Sequence, residues 1–302
     1  MIDTPRPTLL VDARCTLGEG IVWDARQQAI LWTDIERSTI WIHYFVDGST
    51  QSWQTPDRVG SFAICRSGRL LLALAKGIYV ADLPARADAP LAATLLAPVE
   101  THIATTRTND GRADRAGNFV FGTYNEDAAG AALGAFYQYS TRHGLRVLDL
   151  GPVATANSIC FSADNETMFF CDSPSRRIMR CRYDAARAQT SDVRPFIVFG
   201  QHQGMPDGSI VDADGCLWNA EWGTGTVRRY DSAGALIQTI EVPAKHATCP
   251  AFGGSDLSDL FVTSARQGLT PEELARQPES GGIHHVRIPG ARGLADAPFA
   301  DS

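Results

Sequence analysis

Short apolar segments separated by polar turns recur along the whole chain. Each recurrence is an apolar segment, a D-x-x-G-like turn and a second apolar segment. The clearest copies are NDGRADRAGNFVFGTY from Asn109 and PDGSIVDADGCLWNAEW from Pro206. The same frame fits EGIVWDARQQAILWTDI from Glu19, GSFAICRSGRLLLALA from Gly60, NSICFSADNETMFFCDS from Asn157 and CPAFGGSDLSDLFVTSA from Cys249. Aligned on the first turn residue (Asp24, Cys65, Asp114, Ser162, Asp212, Gly254), subtraction gives successive spacings of 41, 49, 48, 50 and 42 residues. A β-type pattern with periods in the forties is the mark of propeller blades.

A third segment rich in alternating, β-branched or aromatic residues follows each pair: TIWIHYF, GIYVADL, GAFYQYS, RIMRCRY, TVRRYDS and GIHHVRI. Half-buried strands carry that pattern. Five repeats add a fourth strand: QSWQT, ATLLA, LRVLDL, PFIVF and LIQTIEV. The sixth lacks one, while the apolar segment TLLVDA at Thr8 to Ala13 has no repeat of its own. The pattern therefore predicts an all-β fold, a six-bladed β-propeller whose N-terminal strand joins the last blade and closes the ring. Closure of this kind leaves no long strand edge unprotected. Residues 1–302 read as a single domain ending in a flexible tail of about 289–302, rich in Gly, Ala and Pro. Helix is scarce. The one candidate is TPEELARQ from Thr270, where Thr caps and the Glu pair favours the N-terminus.

First strands of propeller blades face the central channel. Five residues before each aligned turn stand Glu19, Gly60, Asn109, Asn157, Asp207 and Cys249. Four of these carry oxygen-bearing side chains, and no lysine accompanies the carboxylates of Glu19 and Asp207. Two carboxylates converging in a channel repel and are costly to desolvate. A divalent cation resolves the conflict, and oxygen ligands suit hard ions such as Ca²⁺, Mg²⁺ or Mn²⁺. The competing interpretation is that NDG and PDG are turns only, since Asn and Asp before Gly favour turns. It explains Glu19 worst. Arg107, two residues before Asn109, could orient a polyol or hold developing negative charge; otherwise it is an ion-pair residue. Glu126 and Asp127 sit on a longer blade-3 loop and either reach substrate or are solvated.

Composition narrows the partners. The chain is 44% hydrophobic and 20% charged, with a net charge of −7. That acidity argues against nucleic acid, which needs a basic surface. No 18-residue apolar stretch would cross a membrane. The N-terminal segment has no signal-peptide pattern, so the expectation is a cytoplasmic protein, monomeric or weakly homo-oligomeric. The seven cysteines are scattered without a CxxC pair, consistent with free, buried thiols. No GxSxG, HExxH or Walker motif is present. His284 and His285, on one predicted strand, face opposite ways and read as structural or surface residues.

The GEG near the N-terminus, the R-x-N-D-G-x-x-D-x-x-G-x-x-x-x-G-T block from Arg107 to Thr123, the element at Asn157 and the P-D-G element at Pro206 together resemble the senescence marker protein/gluconolactonase/luciferin-regenerating enzyme family, which includes regucalcin. The block from Phe252 to Leu269 is most similar to the bacterial sugar-lactonase branch. The resemblance implies one divalent metal ion (Ca²⁺, Zn²⁺, Mn²⁺, Mg²⁺ or Fe²⁺) held by Glu19, Asn157 and Asp207. It implies Arg107 and Asn109 as substrate contacts and Asp207 as general base. It leaves the acidic blade-3 residue between Asn125 and Glu126, with Glu126 taken as substrate-binding. The expected activity is hydrolysis of a sugar lactone, pentono- or hexono-, to the aldonic acid. The alternatives are an organophosphate or aryl-ester hydrolase, which a hydrophobic channel rim would favour, and a non-catalytic metal- or sugar-binding propeller.

Overall fold

The first strand of the chain pairs with the last. In the computed structural model, which describes residues 6–84, 89 and 91–302, β1 (Thr8–Val11) is the chain's first strand. The first repeat then folds as β2 (Gly18–Asp24), β3 (Ala29–Asp34), β4 (Thr39–Tyr44) and β5 (Thr50–Gln54). The second is β6 (Val59–Ile64), β7 (Leu70–Leu74), β8 (Gly77–Ala81) and β9 (Ala93–Pro98). The third is β10 (Thr106–Ala113), β11 (Phe119–Asn125), β12 (Gly134–Ser140) and β13 (Gly144–Val153). The fourth is β14 (Ala156–Phe161), β15 (Thr167–Asp172), β16 (Arg177–Asp184) and β17 (Gln189–Val198). The fifth is β18 (Met205–Val211), β19 (Leu217–Trp222), β20 (Thr226–Tyr230) and β21 (Leu236–Glu241). The sixth is β22 (His246–Gly253), β23 (Asp259–Ala265) and β24 (Ile283–Arg287), and β1 completes it by pairing antiparallel with β24, Thr8 opposite His285.

Four of these units are separate four-stranded antiparallel sheets, and the fifth and sixth are linked by the single pair Trp222 and His246. First strands contact first strands around the molecule: β2 with β6, β6 with β10, β10 with β14, β14 with β18, β18 with β22, and β22 with β2. The cycle is closed.

The apolar core is distributed between units. One cluster joins Leu31 and Ile40 of the first unit to Phe62 and Leu72 of the second. Another joins Trp218 of the fifth to Phe252 and Leu260 of the sixth, the two rings meeting edge-on at 5.3 Å. Trp23 and Trp32 of the first unit pack with Phe261 and Ile283 of the sixth across the closure. Fully burying one such side chain contributes about 1.5–3 kcal/mol. Inner strands are therefore apolar on both faces, as in LLLAL of β7, whereas outermost strands such as β9 and β21 leave Leu95 and Leu236 half exposed.

The segment Pro271–Arg276 is helix α1. It is capped as expected: Thr270 accepts from Glu273 N–H, and the Glu273 side chain returns the bond to the Thr270 backbone. All seven cysteines are free and buried. His284 is buried and His285 is partly exposed, where it pairs with Asp259. Among the described residues no helix is long and apolar enough to cross a membrane.

One expectation is corrected. The segment 289–302 is not a free tail. It runs across the ends of several units, with Gly293 bridging Asp212, Asp296 accepting from Trp23 N–H and Arg112, and Phe299 bridging Cys65. Phe299 is buried and stacks on Tyr139 with ring centroids 5.9 Å apart. Low-complexity composition suggested disorder, but one buried aromatic ring and paired backbone groups anchor the segment.

Candidate active site

Every first strand carries a register shift at the same depth. The breaks fall between Glu19 and Val22, Val59 and Ser61, Thr108 and Gly111, Asn157 and Cys160, Pro206 and Ser209, and Ala247 and Pro250. A bulge bends its strand and re-aims side chains, so neighbouring positions can face the same side. Glu19 and Asn157 are the last paired residues before their bulges. Asn109 and Asp207 are the first residues inside theirs. The repeat alignment set them at one phase; in the sheet they are offset by one residue, and the bulges absorb the offset. In the first and fourth units the residue after the last pair turns left-handed, Gly20 at φ 59° and Ser158 at φ 59°. A serine held there is strained backbone at a candidate site.

The result is one cavity of about 340 Å³ that takes in Glu19, Arg107, Asn109, Asn157 and Asp207. Its floor is a chain of polar contacts across units. Arg107 Nη1 donates to Asn109 Oδ1 at 2.7 Å and to Thr108 O at 3.0 Å. Asn109 Nδ2 donates to Asn157 Oδ1 at 3.1 Å and to Ala156 O at 2.9 Å. Asn157 Nδ2 donates to Ser173 Oγ at 2.9 Å, which fixes the amide with its oxygen toward Asn109. Ser173 Oγ itself donates to Pro206 O at 2.7 Å, tying the fourth unit to the strand that carries Asp207. The Arg107 guanidinium lies over the Tyr124 ring, 4.8 Å from its centroid.

The electrostatics are unbalanced. The Glu19 and Asp207 carboxyls line the same cavity, Asp207 buried and Glu19 half-buried. Burial pushes the Glu19 carboxyl well above its ordinary range, and the charges of Asp207 and Asp110 push it further. Burial and then Asp110 do the same to Asp207. Asp207 Oδ1 is buried with no hydrogen-bond partner. The charge of Arg107 offsets the rise at Glu19 only weakly. Two carboxylates and an amide oxygen make a donor set that fits a hard divalent cation. Among the described residues no three His, Cys, Asp or Glu side chains cluster for a metal; the set here depends on Asn157.

Glu126 is placed differently from the other candidates. It lies outside the cavity lining, at the start of the blade-3 loop, and pairs with Arg58 and Arg107. Asn125 turns away, donating to Ala131 O at 2.9 Å. Several residues escaped the sequence reading. Asp110, whose carboxyl burial raises to about 6, accepts from Ile159 N–H and charges the floor from beside Asn109. Its signal was adjacency to Asn109 within NDG. Ser173 and Tyr124 come from second strands and their ends, which the first-strand alignment ignored. Trp222, stacked on His246 with centroids 4.0 Å apart, joins Leu17, Pro174 and Met205 in an apolar rim.

A family model described as the SMP-30/Gluconolactonase/LRE-like region matches residues 17–266. The chain belongs to this family. The SMP-30/gluconolactonase/LRE-like relatives include an L-arabinolactonase of Azospirillum brasilense, 42% identical over 296 residues, covering 97% of this chain and 95% of the relative. A 6-deoxy-6-sulfogluconolactonase of Pseudomonas putida is 32% identical over 287 residues, covering 94% and 95%. Among solved structures, a calcium-binding protein, regucalcin, from Agrobacterium tumefaciens superposes with a TM-score of 0.89 at 30% identity, covering 99% of this chain and 97% of that one. The family match spans all five cavity-floor residues, from Glu19 to Asp207.

Proposed function

We infer that this protein hydrolyses a sugar lactone, pentono- or hexono-, to the open-chain aldonic acid. The closed cycle of four-stranded units is read as a six-bladed β-propeller, with the site at one mouth of its channel. The observation that carries the reading is the meeting of two carboxyls, half-buried Glu19 and buried Asp207, in one cavity beside the Arg107–Asn109–Asn157 chain. The likeness to an L-arabinolactonase and a 6-deoxy-6-sulfogluconolactonase supports the substrate class.

Glu19, Asn157 and Asp207 would hold one divalent ion, and the likeness to a calcium-binding regucalcin supports Ca²⁺ as the first ion to test. Bound there, the ion would polarise an ester carbonyl and balance the two carboxylates. The remaining work falls to the chain. The unpartnered Oδ1 of Asp207 is free to accept a proton from an attacking water. Arg107 holds ring hydroxyls through its Nη2 hydrogens, its Nη1 being spent on Asn109 and Thr108 O, and Asn109, whose two Nδ2 hydrogens are spent on Ala156 O and Asn157 Oδ1, offers the second lone pair of Oδ1. Glu126 reaches substrate only at the cavity edge, where it steadies Arg107.

The apolar rim of Leu17, Pro174, Met205 and Trp222 favours a second reading, an aryl-ester hydrolase using the same floor. A proton-release assay separates the two. After chelation, the protein is supplied with each divalent ion in turn and offered pentonolactones, hexonolactones and phenyl acetate. Turnover of lactones with phenyl acetate inert supports the first reading. Turnover of phenyl acetate alone supports the second, and no turnover with any ion sinks both.

A further inference from the structure

Arg58 stands outside the cavity, immediately before β6, and the reading above gives it no part. Its guanidinium meets Glu126 of the next unit as a fork, Nη1 to Oε1 at 2.5 Å and Nη2 to Oε2 at 2.8 Å. A fork on a carboxylate fixes the geometry of both side chains. Glu126 Oε1 is in turn 3.4 Å from Arg107 Nε. That nitrogen is buried and makes no hydrogen bond. Glu126 is the charge that most offsets the cost of burying the Arg107 guanidinium. Arg107 Nη1 is already committed to Asn109 and the backbone, so the Nε edge is where its orientation is set.

We propose that Arg58 is a positioning residue for substrate binding. It clamps Glu126, and Glu126 holds Arg107 at the angle from which Arg107 and Asn109 meet the sugar hydroxyls. The inference rests on the lactonase reading. It assigns the second unit, whose Gly60 contributes no side chain to the ring, a part in the site. A purely stabilising role fits less well. Arg58 and Glu126 are 30% and 32% exposed, and ion pairs that open to water contribute little to folding. Removing one therefore leaves the fold intact and exposes the effect on binding.

The test is a set of variants, R58Q, R58K, E126Q and R58Q/E126Q, assayed on the lactone that the wild type turns over fastest. R58Q should raise KM roughly tenfold, the scale of an outer-contact loss, with kcat close to wild type. R58K should recover part of the loss, because a single ammonium replaces a fork. In the E126Q background R58Q should cost nothing more, since Arg58 acts only through Glu126. An unchanged KM in R58Q, or an equal penalty with and without Glu126, overturns the proposal. Should the wild type hydrolyse no lactone, the functional reading fails alone, and a crystal structure of R58Q still decides. A displaced Arg107 guanidinium upholds the clamp; an unmoved one overturns it.

Discussion

Asn109 and Asn157 touch across two units: Nδ2 of one donates to Oδ1 of the other at 3.1 Å, although they are 48 residues apart. The contact joins a candidate substrate residue to a candidate metal ligand. Asn109→Ala removes it, together with the acceptor for Arg107 Nη1. The expected result is a fall in kcat/KM of about 10–100-fold, as for other residues that orient a ligand. Steady-state kinetics at saturating metal measures it, and a loss below twofold would show that the contact is incidental.

Asp207→Ala should abolish turnover of every lactone, because it removes the proposed proton acceptor and a candidate metal ligand together. Glu19→Gln keeps the shape and removes one of two repelling charges. In the presence of chelator its thermal midpoint should not fall. The stabilisation gained on adding Ca²⁺ should shrink, against about 2.7 kcal/mol for a wild type held at roughly 100 times its Kd. Calorimetric scans with and without calcium make the comparison. An undiminished calcium shift in Glu19→Gln would remove Glu19 from the ligand set.

Acid should weaken the fold through His284. Burial lowers its pKa from 6.5 to about 4. Between those values the unfolded chain binds a proton that the folded chain refuses, so stability falls as pH drops through that window. At about 1.4 kcal/mol per unit, the loss reaches on the order of 3 kcal/mol. His246, also lowered to about 4, adds a loss of the same sign. Asp110 acts oppositely, because its carboxyl is raised from 3.8 to about 6 and stabilises the fold as pH falls. Comparing His284→Leu with wild type cancels both. The variant's urea midpoint should depend less on pH between 6.5 and 4, and equal slopes would mean that His284 is not buried neutral.

The C-terminal segment should behave as structure. Phe299→Ala opens a cavity against Tyr139 and should cost about 3–5 kcal/mol, the range for a buried Phe. The segment meets first strands near the ends opposite the site: Asp296 bonds Trp23 N–H, whereas Glu19 lies near the start of the same strand. Activity at low temperature should therefore persist while the denaturation midpoint drops. An unchanged midpoint would mean that the segment is dispensable.

Much of this was legible in one dimension because each unit is a local object. Strand alternation, turn residues and the repeat length depend on neighbours a few positions away, so the order of the four strands in each unit, the capped helix at Thr270 and the N-terminal strand needed to complete the last unit could be read directly. Repetition also converted distant residues into equivalent ones, which is why Glu19, Asn109, Asn157 and Asp207 could be grouped without knowing any distance.

Tertiary structure alone decided the rest, because the rest depends on contacts between units. The bulges that let Asn109 and Asp207 face the cavity alongside Glu19 and Asn157 are departures from strand periodicity, and periodicity was the signal being read. Asp110 was passed over for the same reason, since strict alternation sends it away from its neighbour's face, and only its adjacency to Asn109 marked it. Glu126 was a candidate by loop position, yet its partner Arg58 lies 68 residues earlier in a stretch with no motif. The C-terminal segment was misread because composition reports average flexibility, whereas one buried ring and a few paired backbone groups were enough to hold it in place. Sequence determined which side chains were available for the chemistry; packing of one unit against the next determined which of them meet.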